Sequence, residues 1–361
     1  MINIYKLYLL KKFSKKIFLI SAIFFSLVLI INLIEEATFL KNTDVKFFTP
    51  ILLTILNGPS LLYEMFPFIF LISTQFFFIE LFENKEIFTL RQFGLSNVKL
   101  LSFLSIISFL FGIFIIIIFY NFSAILKNEY LKVKNKYADD NKYLAVITKN
   151  GIWIRDISNK QKNTVIINAD QIKDNYLINV SLTEFNEDFT VQKNVIAEKV
   201  DISDFNWILI NAIITDSENQ TVKLEKTFFK STLNSQKINN LFSDLKSLNY
   251  FALQELKSNY ESIGYSTNEI NIQNHKIYSL PILLMLMTII SMIITINNKF
   301  KKNILINIII GIFFSVIIYY ITHFSNLLGE NEKLPLILSV WLPVIVIFII
   351  CTIGVIKINE K

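Results

Sequence analysis

Six uncharged, apolar runs dominate this chain: Ile17–Ile34, Met65–Ile79, Leu100–Leu126, Ile277–Asn298, Asn303–Thr322 and Leu334–Ile356. Each is near the ~20 residues that a helix needs to cross a hydrocarbon core. In water such runs would expose more apolar surface than a soluble domain tolerates, so the chain reads as a six-span membrane protein. A hydrophobic fraction of 53% and a mean hydropathy of +0.50 agree with that class. The first run follows basic residues, as in a signal peptide. It is too long for an h-region and lacks a small-residue cleavage site, so it reads as a retained span.

The lysines and arginines orient the spans. Lys6, Lys11, Lys12, Lys15, Lys16, Lys85, Arg91, Lys99, Lys299, Lys301, Lys302, Lys357 and Lys361 fall on one side, against only Lys41, Lys46 and Lys333 in the short loops of the other. The positive-inside rule then places both termini in the cytoplasm. Between the third and fourth spans lie about 150 residues without a comparable apolar run, and these fall outside. Short alternating, β-branched segments mark them as strands: LAVIT at 144–148, GIWIRD at 151–156, TVIIN at 164–168, VIAEKVDI at 195–202, WILINAIIT at 207–215 and TVKLEKT at 221–227. Their spacing predicts an antiparallel sandwich or roll. A helix follows over Tyr250 to Ile263, closed by Gly264, and Ser266–Glu269 fits a capping box opening the fourth span. The expected segments are 1–126 for three spans, 127–274 for the external β domain, and 275–361 for three more spans.

Chemistry-bearing motifs are absent from this sequence. No two of the eight glycines have the five-residue spacing of a phosphate loop, so the chain has no nucleotide-hydrolysing motif of that kind. His275 and His323 lack paired ligand spacing and Cys351 stands alone, which excludes a recognisable zinc site and an intrachain disulfide. Neither cofactor, metal nor nucleic acid is expected. Glu35, Glu36 and Glu64 read as interfacial carboxylates near the outer ends of the first two spans, in contact with water.

One charged segment interrupts the apolar pattern on the cytoplasmic side: ELFENKEIFTLRQFGLS at 80–96. It reads as a short helix over about 83–94, with Glu83 and Glu86 at the positive N-terminal end and Arg91 at the C-terminal end. Glu86, Leu90 and Phe93 share one face. Gly94 supplies the left-handed stop, and Ser96 or Asn97 can cap the next helix. The segment is either a well-formed turn or a docking helix for a cytoplasmic partner.

Taken in order, these stretches resemble the LptF/LptG permease family of the lipopolysaccharide transport ABC exporter. ENKEIFTLRQFGLS is similar to its cytoplasmic coupling motif, with Glu86 and Gly94 in the recurring positions, and NGIWIRD at 150–156 is similar to its Gly-Leu-Trp-x-x-Asp stretch. Trp153 points to the LptG member. HKIYSLPILLMLM and GIFFSVIIYYI resemble openings of the fourth and fifth spans. The resemblance implies a six-helix membrane protein with an inserted periplasmic jellyroll-like domain, in the bacterial inner membrane. It implies an LptF-like permease, an LptB-like ATPase dimer that hydrolyses ATP, an LptC-like partner, and lipopolysaccharide as cargo. It further implies that Glu83, Glu86, Leu90, Arg91, Phe93 and Gly94 couple to the ATPase, and that Phe66 and Tyr319 line a lipid cavity or gate. The sequence departs from the family at the outer end of the first span. INLIEEATFLKN carries Glu35 and Glu36 where basic residues often meet lipid phosphates, leaving Lys41 and Lys46 as substitutes. An LptF-type half, a membrane sensor, or another lipid-handling protein with an external β domain are the alternatives. A sensor would need a cytoplasmic effector domain, where this chain has short loops and tails.

Overall fold

The computed structural model describes residues 4–41, 47–137, 152–157, 164–173, 175–186, 188–217, 220–241, 244–263, 265–297 and 304–359. LAVIT, Gly151, Gly264 and Lys46 lie outside these. In chain order the elements are α1 (Ile4–Phe39), α2 (Thr49–Glu83), α3 (Glu86–Gln92), α4 (Asn97–Phe114), a π-helical stretch (Ile115–Tyr120) and α5 (Asn121–Asn135). Then come β1 (Ile152–Ile157), β2 (Thr164–Lys173), β3 (Tyr176–Phe185), β4 (Val191–Asp201), β5 (Asn206–Asp216) and β6 (Thr221–Lys230). The remaining helices are α6 (Ser235–Leu241), α7 (Tyr250–Ile263), α8 (Asn268–Asn297), α9 (Ile304–Glu330) and α10 (Leu336–Asn359). They form two compact units, one of residues 1–127 with 268–361, the other of 128–267.

Among the described residues, six helices are long and apolar enough to cross a membrane: α1, α2, the continuous stretch from α4 through α5, α8, α9 and α10. Their outward faces carry exposed Ile30, Leu110, Phe313 and Ile349, a pattern that lipid covers and water would not. Inside, α1 and α2 run antiparallel, with Phe13 edge-on to Phe77 at 5.4 Å and Asn57 donating to Asn32 at 3.1 Å. Glycine permits the closest approaches. A Cβ on Gly58 would stand 3.0 Å from Leu29, and one on Gly112 only 2.5 Å from the Pro281 Cα. Polar side chains join neighbouring helices: the Ser108 and Thr288 hydroxyls lie 2.7 Å apart, and Gln75 donates to the Asn307 carbonyl at 2.9 Å.

The second helix differs most from its expected span. It starts at Thr49 rather than Met65, because proline in its first turn costs no hydrogen bond and the chain stays helical through Pro59 and Pro67. Asn57, Gly58, Ser60 and Glu64 hide this extension from a hydropathy count. The uncharged third run includes the π stretch, whose Phe119 and Tyr120 reach Phe66 and Tyr63 at 5.2 Å each.

In the second unit the six strands form one antiparallel sheet in the order β1-β2-β3-β4-β5-β6, an up-and-down path among the described residues. The alternation identifies five of the strands, and β3 is the one it misses. In β3 the buried residues are Leu177, then Val180 and Leu182, so the period of two slips at Asn179. Asn179 is left-handed (φ 49), which reverses the pleat locally and keeps one face buried on both sides of the slip. Asn211 (φ 55) does the same in β5, between buried Leu209 and Ala212. Asparagine tolerates this conformation far better than β-branched residues do. The amide of each bonds across to a neighbouring strand, Asn179 to Asp170 and Asn211 to Glu198, both at 2.8 Å.

Trp207 anchors the buried face. It is fully buried and donates its indole N–H to the Leu233 carbonyl at 2.7 Å. Trp207→Ala is expected to cost about 3–5 kcal/mol, the range for truncating a buried aromatic. Limited proteolysis of the full chain should then cut within residues 128–267 far faster than in the parent. An unchanged digestion pattern would mean that this tryptophan does not organise the sheet.

Candidate functional site

Two places in the helical unit gather polar side chains from separate helices around the residues singled out in the sequence. The first is the turn from α2 into α4. Lys85 is left-handed (φ 58), which ends α2 and starts α3 at Glu86. The expected helix over 83–94 is therefore shorter at its start, and Glu83 is the last residue of α2 rather than part of a positive helix start. The far end of α3 closes as a Schellman motif: Gly94 is left-handed (φ 81), its N–H reaches the Arg91 carbonyl at 2.9 Å, and the Leu95 N–H reaches that of Leu90 at 3.1 Å. Ser96 then caps α4 by accepting from the Lys99 N–H at 3.2 Å.

This small helix has two unlike faces. Inward, Ile87 is buried and Leu90 packs against the helical core. Glu86 accepts from Lys12 at 2.7 Å, from the Tyr8 hydroxyl at 2.9 Å and from Asn84 at 3.2 Å. Lys12 also pairs with Glu80 at 3.1 Å, and Glu80 with Lys16. Partial burial works to raise the Glu86 carboxyl, and the bonds from Lys12, Tyr8 and Asn84 outweigh it, holding its pKa below the ordinary value. Outward, Phe88 and Phe93 are 54% and 82% exposed, beside exposed Thr89 and Gln92. Arg91 is exposed and bridges to Asn97 through two nitrogens, at 3.2 and 2.9 Å. Hence Glu86 faces α1, while Phe93 faces away from the bundle. Sequence reasoning missed Tyr8 and Lys12, more than seventy residues from Glu86. Only the density of basic residues before the first span hints at them.

The second place is a cavity of about 360 Å³ walled by α1, α2 and α9. Asn32, Glu35, Glu64 and Tyr319 give it polar groups, and Ile31, Leu61, Met65 and Phe68 are among its apolar walls. Tyr319 stacks on His323, with centroids 5.8 Å apart and planes 2° from parallel. Asn32 is almost wholly buried. Its Oδ1 accepts from Asn57, whose own Oδ1 accepts from Lys127 at 2.8 Å. That order fixes the amides, and the Asn32 Nδ2 is left without a partner.

Glu64 does not stand at the start of a span. It lies mid-way along α2, seven residues past Asn57, and Asn57 is level with Asn32 near the end of the uncharged run of α1. At 1.5 Å per residue, Glu64 therefore reaches roughly 10 Å inside that run. Carboxylates at such depth occur where a cavity or partner receives them. Tyr319 lines this cavity, whereas Phe66 is buried between Tyr63 and Phe119. Lys41 is exposed just beyond α1 and is not part of the wall.

A comparison with curated proteins finds no match. A family model, described as "Lipopolysaccharide export system permease LptF/LptG", matches residues 7–357, nearly the whole chain. The six apolar helices, the antiparallel sheet set between them in sequence, and this match place the chain in the LptF/LptG family of lipopolysaccharide export permeases.

Proposed function

We propose that this chain is the LptG-type permease subunit of an ABC exporter that extracts lipopolysaccharide from the inner membrane and passes it towards a periplasmic bridge. The basic ends of the spans face the cytoplasm, and residues 128–267 face the periplasm. An LptB-like ATPase dimer supplies the energy, and an LptF-like permease supplies the other half of the lipid path. The observation that carries this reading is α3. A chain without a phosphate loop presents at its basic end a short helix anchored inward through Glu86 and showing Phe88 and Phe93 to the exterior. An exposed aromatic pair on a rigid support is what a docking groove on a partner would engage. The cavity between α1, α2 and α9 is the part of the lipid path that this subunit contributes. Among the described residues strand β6 is a sheet edge with Val222 and Phe228 exposed, a surface on which an LptC-like partner could add a strand.

Phe93→Asp tests the docking role directly, because Phe93 is solvent-exposed and supports no core packing. Co-expressed with an LptB-like ATPase, the variant is expected to lose about tenfold or more in retained ATPase, the scale of one aromatic anchor. Full retention, with ATP-driven lipid release intact, would remove α3 from the coupling interface.

A further inference from the structure

The first turns of α1 carry an apolar stripe that lies beyond the reach of a bilayer. The Lys16–Glu80 ion pair stands where the uncharged runs of α1 and α2 both end, at Ile17 and Ile79. It therefore marks the edge of the hydrocarbon on the basic side. From Lys16 the helix continues without a break to Ile4, a reach of roughly 18 Å at 1.5 Å per residue. A head-group layer is only about 5–8 Å deep on each side. The usual tilt of a spanning helix, about 20°, shortens that reach by only about 1 Å. Inward, Leu9 is buried and Tyr5 and Leu10 pack against the helical core, which holds this stretch in place. Outward, Ile4 (90% exposed), Leu7 (56% exposed), Tyr8 and Lys11 form one stripe at i, i+3, i+4 and i+7. Ile4 and Leu7 stand too far out for acyl chains to cover, so a contiguous apolar surface here marks a protein contact.

Its neighbour and its area identify the partner. The Tyr8 hydroxyl donates to Glu86 at 2.9 Å, so the stripe borders α3. Helix α3 has seven residues. A stable interface takes about 20–30 residues and about 800 Å² from each side, so a partner docked on α3 must also cover surface beside it. We infer that the first turns of α1 are the second half of the ATPase-docking surface. An apolar recess on the same ATPase that takes Phe88 and Phe93 covers Ile4, Leu7 and the exposed face of the Tyr8 ring. The inference rests on the docking role of α3 argued above and adds a second segment of the chain to it. Tyr8 joins the two halves, its ring in the contact and its hydroxyl on Glu86. The ATPase thereby holds α1 directly, as well as through the Lys12–Glu86 pair.

The test places the photo-crosslinker benzoylphenylalanine singly at positions 7, 18 and 93 of the full chain. Each variant is co-expressed in intact cells with an LptB-like ATPase and an LptF-like permease, and the adducts are identified by mass spectrometry. Position 18 is the control, because Phe18 is exposed on the same helix but lies within the uncharged run. Positions 7 and 93 are both expected to capture the ATPase, and position 18 is not. The paired substitution Ile4→Ser with Leu7→Ser leaves every lysine in place and touches no buried residue. It should lower retained ATPase about fivefold or more, the scale of a contributing interface residue. Capture of the ATPase from position 93 but not from position 7 would overturn the inference and leave the role of α3 intact. Capture from neither position would bring down the docking role of α3 itself. Capture from position 7 alone would remove α3 from the surface and so end the two-part arrangement. Lipid or the second permease captured from position 7 would overturn the inference, as would full ATPase retention by the paired serine variant.

Discussion

Glu86→Lys in the full chain is expected to lower both ATPase co-purification and ATP-driven lipid release by about tenfold or more, and Lys12→Glu in the same chain to restore part of each. The site explains the size. Lys12 and Glu86 are only 11% and 25% exposed at their side chains, so water screens their 2.7 Å contact less than it would a surface pair. Hydrogen bonds to charged groups contribute about 1.5–3 kcal/mol each, and the reversal opposes two ammonium groups where one such bond stood. Rescue by the swapped pair stays partial because the Tyr8 and Asn84 bonds need a carboxylate at position 86. The pH dependence has a definite sign. A carboxyl whose folded pKa is lowered contributes stability above its ordinary value of 4.5, lost as pH falls through the lower folded value. The clamp is therefore fully charged at neutral pH. Wild-type coupling in Glu86→Lys would show that α3 holds its place by Ile87 and Leu90 alone.

Within the helical unit the largest loss of stability is expected at Gly112→Leu. A Cβ there would lie 2.5 Å from the Pro281 Cα and 2.9 Å from its Cβ, and proline's ring and backbone cannot step aside as a flexible side-chain tip can. Forcing α4 away from α8 would also part the Ser108–Thr288 contact one turn along. Overpacking a tight core typically costs about 1–3 kcal/mol, and a backbone clash belongs at or beyond the upper end. The informative control is Gly94→Ala, where a Cβ meets open space and the strain is only that of a left-handed backbone, about 1–2 kcal/mol. Thermal unfolding in detergent should rank Gly112→Leu well below Gly94→Ala. Equal melting temperatures would mean that α4 and α8 do not touch as described.

Charge and hydropathy carry most of the architecture because both are local. The uncharged runs mark six helices, and the glycine after Phe93 marks a helix stop. What escaped is non-local or locally contradictory. The first half of α2 reads as a loop because Asn57, Gly58 and Pro59 punctuate it, yet α1 packs against it and satisfies Asn57. β3 escaped because its apolar residues change phase at a left-handed asparagine. The cavity and the Lys12–Glu86 clamp depend on side chains brought together from distant helices, and no spacing rule connects them. Glu64 shows the same limit. Its depth follows from where α2 begins, and that boundary is hidden in the composition.

The first helix has one more consequence. It runs through 36 residues with neither proline nor glycine, so it lacks the usual sites of kinking that α2, α8 and α10 contain. Lys12 at one end is bonded to α3, and Glu35 at the other borders the cavity. The two are roughly 34 Å apart along the axis, so a tilt of about 5° at the clamp would swing Glu35 by about 3 Å. That is the width of a hydrogen bond. A rod of this length converts a small angle at the basic end into the making or breaking of a single contact at the other.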